Sequence, residues 1–356
     1  MKWSALICSC VLIAALAVTL LIGGLTAPKA ADAPTQTPEL MASPTPVTPA
    51  PTATAVPISW GWDGDMEEAT GDINRWVTVL LDDGLHWMRM NYYLYGVVAG
   101  EMPASFPEEA LKAQAVAART YTLYKQSHTT RAHPNAEVCG NSACCKAYAS
   151  PEVLKERWGE DYEKNAAIIR AAVDDTDSLA LTYEEAPILA VFHSTSSGMT
   201  ERSADVWGGD LPYLQSVSSE GEEASPRYSA KVKIDAAECK QRLLEAYPKM
   251  KLSGSAKNWF KSIKRSKAGG VLSLKAGGVT LTGGQMRKLF GLNSSCFTIS
   301  ASKNSVTFET KGYGHGVGMS QYGARAMAID GADFREILLW YYKDTVMTTL
   351  AEAPDV

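Results

Sequence analysis

Lys2 is followed by an almost unbroken apolar run from Trp3 to Leu25. About 20 apolar residues suffice for a helix to span a bilayer. The pattern therefore predicts an uncleaved transmembrane anchor over residues 1–26, with Lys2 on the cytoplasmic side and the rest of the chain outside that membrane. Cys8 and Cys10 read as apolar filling within it. Residues 27–57 then change to Ala, Pro and Thr with hardly any charge. Such a stretch cannot bury a core and favours extended conformations, so it reads as a disordered spacer.

Periodic patterning starts beyond the spacer. Trp76 to Leu81 and Leu85 to Met90 alternate like strands, and Asp82-Asp83-Gly84 supplies a turn between them. Asn91 is placed to cap a helix whose Leu94, Val97, Val98 and Glu101 share one face. Pro103 ends that helix. Ser105 and Glu108 have capping-box spacing around Pro107, and an Ala-rich helix follows to about Lys125. A further helix is predicted over 151–173, and 179–183 and 188–192 read as paired strands. Residues 225–310 differ, with helices near 235–247 and 283–292, short strands and Gly-Gly turns. The expected fold is α+β with two lobes and a groove between them. One lobe takes residues 58–224 and 311–356, ending in a helix over 334–342, and the smaller takes 225–310.

The net charge of −5 argues against nucleic acid as a partner, which calls for a basic face, and is neutral towards an uncharged polysaccharide. Glu101 falls between two predicted helices, and Lys112 and Arg119 lie seven positions apart on the second. A single acid near two cations suits one-carboxylate cleavage of a sugar bond; a well-capped helical hairpin fits the same spacing. His133, Cys139, Cys144 and Cys145 cluster as four candidate ligands for tetrahedral zinc. A disulfide from Cys139 to Cys144 or Cys145 is the alternative outside a membrane. His128 is a weaker ligand candidate, and the state of Cys239 and Cys296 is open. The small polar loop His193, Ser194, Thr195, Ser196, Ser197 follows a predicted strand, a common place for ligand contacts. No acid at characteristic spacing supports a serine hydrolase there. Gly312 to Tyr322 sets Tyr313, His315, Gln321 and Tyr322 among glycines, which allow close approach of backbone to ligand. No Gly-Lys-Ser/Thr follows, so it is not a phosphate loop.

YLYGVVAGEMP with EALKAQAVAARTY, the block from Phe192 to Ser219, and GYGHGVGMSQYGARAMA closely resemble the sporulation stage II protein D family, SpoIID, which is related to the amidase enhancer LytB. The resemblance implies a peptidoglycan lytic transglycosylase that cuts between N-acetylmuramic acid and N-acetylglucosamine during forespore engulfment. It implies work beside the SpoIIP amidase, which strips stem peptides, and the membrane protein SpoIIM, in the intermembrane space facing the wall. The family's catalytic glutamate falls on Glu101 and its supporting cations on Lys112 and Arg119. The loop from His193 to Ser197 falls on its groove lining. Some members bind zinc, and here Cys144 stands where they have a histidine; a site of His133, Cys139, Cys144 and Cys145 would be structural. A glycan-binding amidase enhancer that does not cut is the alternative expectation.

Overall fold

The computed structural model describes residues 71–128 and 130–351. The expected anchor and spacer lie outside the described residues, and among those described no helix is long and apolar enough to cross a membrane. The architecture is mixed helix and sheet. Strands β1 (Trp76–Leu81) and β2 (Gly84–Arg89) form the expected antiparallel hairpin, from Trp76 opposite Arg89 to Leu81 opposite Gly84.

Helix α1 (Met90–Glu101) follows β2 directly. Asn91 does not cap it: Arg89 holds the cap position, and the Asn91 side-chain oxygen accepts the adjacent Tyr92 N–H at 3.0 Å. Met90 to Ala99 are buried except the partly buried Tyr92, because the helix is apolar on nearly every side rather than along one stripe. Helix α2 (Glu108–Ser127) begins after Pro107 without a side-chain cap. Ser105 instead sits in a tight turn in which the Phe106 N–H donates to the Pro103 carbonyl.

β3 (Val138–Cys139) runs parallel to β1. The helix expected over 151–173 is two, α3 (Pro151–Trp158) and α4 (Tyr162–Asp174). Gly159 between them has φ +52°, a conformation that ends a right-handed helix and that glycine adopts at little cost. β4 (Leu179–Tyr183) pairs with β5 (Ala186–Pro187), and of the expected 188–192 partner only the Ile188 N–H reaches it, donating to the Leu181 carbonyl at 3.2 Å. β6 (Phe192–His193) and the short α5 (Ser203–Trp207) complete this stretch.

Next come β7 (Ser229–Asp235), α6 (Ala236–Ala246), β8 (Phe260–Arg265), β9 (Val271–Ala276), β10 (Val279–Leu281), α7 (Gly283–Phe290), β11 (Phe297–Ala301) and β12 (Ser305–Lys311). They make two three-stranded sheets, ordered β11-β12-β7 and β10-β9-β8. Their apolar faces close one core around Leu243, Leu274, Met286 and Phe308. The chain returns through β13 (Met319–Ser320), parallel to β6, then α8 (Gln321–Ile329), α9 (Phe334–Tyr341) and β14 (Val346–Thr349), which pairs with β4. These elements share a second core with β1 to β6.

α2 is the axis of that core, packed by α1, α4, α8, α9 and β4. Its Arg119 is fully buried. The guanidinium donates to Asp72 Oδ2 at 2.6 Å and to the carbonyls of Leu179 at 3.1 Å and Val173 at 3.3 Å. Burial raises the Asp72 carboxyl above its usual range, and the Arg119 charge opposes that rise. Arg119 thus joins α2, α4 and β4 from a position closed to water. Removing one partner of such a pair leaves a buried charge unmatched. Arg119→Met is expected to cost about 3–5 kcal/mol in chemical denaturation; a loss under about 1 kcal/mol would show that the pair does not hold these elements together.

Candidate functional site

Glu101 is the last residue of α1 and is half-buried. Its Oε1 accepts the Ala147 N–H at 2.7 Å. The loop carrying Ala147 comes this close because α1 has glycines on that side. A Cβ at Gly96 would meet the Tyr148 ring at 2.2 Å, and one at Gly100 would meet the Ala147 carbonyl oxygen at 3.1 Å. The Ala149 N–H donates to the Gly96 carbonyl at 3.0 Å and completes the seam.

The preceding residue in that loop, Lys146, is only 5% exposed. Its ammonium lies 3.4 Å from the centre of the Phe192 ring and 4.3 Å from that of Tyr121. No carboxylate is within ion-pairing distance of it among the described residues. Burial pushes the Lys146 pKa down to about 8, while the charges of Glu101 and Cys145 favour its protonated form. Sequence reasoning missed this residue. It has no place in a helical or strand pattern, and its only signal is its position directly after Cys145.

Lys112 and Arg119, expected beside Glu101, are engaged elsewhere. Lys112 pairs with Glu108 at 2.5 Å, Glu109 at 3.3 Å and Asp175 at 3.0 Å, and these partners hold its pKa high. Arg119 is locked to Asp72. The reason is helical geometry. A spacing of seven puts both on one face of α2, whereas Tyr121, nine residues from Lys112, lies half a turn away on the face that meets Lys146.

A second group of side chains gathers around His315. The His193 and His315 ring centres are 5.6 Å apart, and Trp207 lies 5.2 Å from His315. His315 Nδ1 accepts the Val317 N–H at 3.1 Å, and the ring also bonds the Phe192 backbone. Burial, then the nearby charges of His193, Lys146 and Arg287, depress its pKa far below the ordinary range. Burial likewise lowers His193 to about 4. His193 Nδ1 donates to the Val317 carbonyl at 3.2 Å, leaving a neutral, buried Nε2 with no partner among the described residues. Both rings are neutral fixtures rather than proton carriers. Lys146 and Glu101 connect this group to the end of α1 electrostatically.

The other expected binding residues divide. Thr195 and Tyr313 exchange backbone hydrogen bonds at 3.1 and 2.8 Å, which fixes the glycine-rich loop. Thr195 and Ser196 are buried and satisfied internally, Thr195 Oγ1 by Ser225 at 2.8 Å and the Ser196 N–H by Glu222 at 3.0 Å. They brace the site, and both border a cavity shared with Ser197, Gly314 and His315. Gln321 is also buried, donating to Gln114 at 3.4 Å. Tyr322 stands edge-on to Phe106, with ring centres 5.2 Å apart. Ser194 and Ser197 stay partly open, Ser197 Oγ donating to the Ala268 carbonyl at 2.8 Å. Glu201 was also missed: it is buried, and its Oε1 accepts the Gly270 N–H at 3.0 Å.

The ligand atoms of His133, Cys139, Cys144 and Cys145 all lie within 4.8 Å of one another, and none of these cysteines forms a disulfide. His133 Nδ1 bonds the Ala136 carbonyl at 2.9 Å, which directs Nε2 to Cys145 Sγ at 3.2 Å. A carbonyl on the far nitrogen is the usual support for a metal-bound imidazole. Burial raises Cys145, and it raises Cys144 to about 12; Cys145 and Cys139 add to the rise at Cys144, and the Cys139 charge to that at Cys145. A cation held among these sulfurs would favour the thiolate forms of Cys144 and Cys145. Residues, spacing and support fit a tetrahedral metal.

A family model described as stage II sporulation protein, SpoIID, matches residues 83–183. The stage II sporulation protein D of Bacillus subtilis (strain 168) is 40% identical over 254 residues, which are 71% of this chain and 72% of that protein. That of Bacillus amyloliquefaciens is 38% identical over 252 residues, 70% of this chain and 72% of the relative. An amidase enhancer of Bacillus subtilis (strain 168) is 27% identical over 308 residues, 72% of this chain but 40% of the relative.

An ammonium buried between two rings without a hydrogen-bonded partner costs solvation that a thioether of similar length does not. Lys146→Met is therefore expected to be at least as stable to heat as the parent. A loss of more than about 2 kcal/mol, the upper range for a desolvated cation–π contact, would mean that the charge is there for folding.

Proposed function

The chain belongs to the stage II sporulation protein D family, and on that premise we propose that it is a lytic transglycosylase acting on peptidoglycan in sporulation. Its substrate is the bond between N-acetylmuramic acid and N-acetylglucosamine in glycan strands stripped of peptides. The observation that carries this reading is the setting of Glu101: one oxygen is held by the Ala147 N–H, and its charge acts on the buried Lys146 ammonium.

Glu101 acts first as an acid. It gives its proton to the glycosidic oxygen as the bond to the muramic anomeric carbon breaks. The muramic 6-hydroxyl oxygen then closes on that carbon, and its proton returns to Glu101. The product is a 1,6-anhydro sugar, and the acid is regenerated. A two-carboxylate glycosidase uses its second carboxylate as nucleophile or as base for water; here the substrate supplies the nucleophile. The Ala147 N–H holds Glu101 Oε1 in place for both proton transfers. The neutral rings of His193, His315, Trp207 and Tyr313 offer faces and edges for sugars.

His133, Cys139, Cys144 and Cys145 would hold zinc. With four protein ligands it has no open position and supplies structure only. The expected anchor would keep the enzyme at the membrane facing the wall, with the SpoIIP amidase and SpoIIM as partners. A second reading, glycan binding without cleavage, is favoured by the likeness to an amidase enhancer.

Two outcomes check this. Full-chain protein with stripped strands should release anhydro-ended fragments, one water lighter than hydrolysis products by mass spectrometry. Glu101→Gln should slow the release by about 10²–10⁴-fold; strands bound but left intact by the parent would favour the enhancer reading. Protein purified without added metal should carry one zinc per chain by elemental analysis. Stripping that zinc with a chelator should lower the melting temperature, and a metal-free protein with paired cysteines would remove the site.

A further inference from the structure

Among the described residues, the guanidinium groups of Arg227 and Arg287 sit by the glycine-rich loop without a carboxylate partner. Arg227 stacks over the Tyr313 ring, 4.8 Å from its centre. Arg287, on α7, is half-buried, and its one hydrogen bond runs from Nε to the Leu292 carbonyl at 3.3 Å. Burial lowers the Arg287 pKa, and the Tyr313 phenol counters that. The Arg287 charge also reaches His193 and His315. The loop after α7 is tied to the same place, because the Gly314 N–H donates to the Asn293 carbonyl at 3.0 Å.

Elsewhere in this protein a buried arginine is matched: Arg119 has Asp72. A partly desolvated guanidinium with both terminal nitrogens unused calls for an anion, and its planar fork suits a carboxylate. Within reach of its charge is the neutral Nε2 of His193, which has no partner among the described residues and is an acceptor for a hydroxyl. One ligand with a carboxylate and hydroxyls satisfies both.

We propose that Arg287, with Arg227 at the rim, binds the lactyl carboxylate of a muramic acid residue. This rests on the reading of the substrate given above. In intact wall that carboxyl is tied up as an amide to the stem peptide; once the peptide is removed it is a free anion. Arg287 therefore selects stripped strands over peptide-bearing ones by charge, in addition to any exclusion by size.

The test compares stripped strands bearing free lactyl carboxylates with the same strands converted to the small, neutral methylamide. Full-chain parent, Arg287→Gln and Arg287→Lys are assayed for cleavage, and each is also combined with Glu101→Gln for binding. The parent should prefer the free acid by about 10- to 100-fold, the range for a charge-assisted hydrogen bond. Arg287→Gln should lose that preference while handling the methylamide as the parent does, and Arg287→Lys should keep part of it. A preference that survives Arg287→Gln, or a parent that treats both strands alike, overturns the proposal. If no strand is cut but the binding preference is present and depends on Arg287, the carboxylate site stands and the cleavage reading falls. If Arg287→Gln does not fold, Arg287→Lys decides: an undiminished preference counts against the forked contact.

Discussion

The hydrogen bond from the Ala147 N–H to Glu101 Oε1 ties the end of α1 to the loop of cysteines, and the rest of the site follows from it. It forms because Gly96 and Gly100 let the loop lie against the helix. The same loop segment places Cys144 and Cys145 in the metal-ligand cluster and carries the buried Lys146, on which the Glu101 charge acts. One short stretch of backbone thus fixes a carboxylate, a buried cation and half of a ligand set. A structural metal in that cluster would act on the chemistry only through this connection, by keeping the Ala147 N–H in place.

The electrostatics divide the protein's cations by role. Arg119 and Lys112 are matched by carboxylates and hold α2 to its neighbours. Lys146 and Arg287 are partly or wholly desolvated and unmatched. Unmatched charge costs stability, and its location beside Glu101, His193 and His315 is where an anionic intermediate state or an anionic substrate group would compensate for it. The neutral histidines fit the same picture, since a protonated ring there would add to the positive charge.

What could be read from the chain depended on how local each feature is. The hairpin of β1 and β2 and the two long helices were legible, because alternation and helical spacing are properties of adjacent residues. Glu101 was placed at its helix end for the same reason, and the four metal-ligand candidates by their spacing. The caps at Asn91 and Ser105 were misplaced because α1 starts straight from β2 and Pro107 already occupies the start of α2. The break at Gly159 needed its positive φ to be known. Lys112 and Arg119 share a face of α2, as their spacing says, but which face meets Glu101 is decided by tertiary packing. Lys146, Glu201 and Arg287 gain their meaning only from partners far away in sequence, so no local pattern marked them.

The central claim is that the attacking oxygen comes from the substrate and that Glu101 moves the proton both ways. Cleavage of stripped glycan strands in water enriched in oxygen-18 tests it most directly. The account predicts new muramyl ends without the heavy isotope, because no water oxygen joins the anomeric carbon. Ends that carry oxygen-18 in proportion to the enrichment would contradict it.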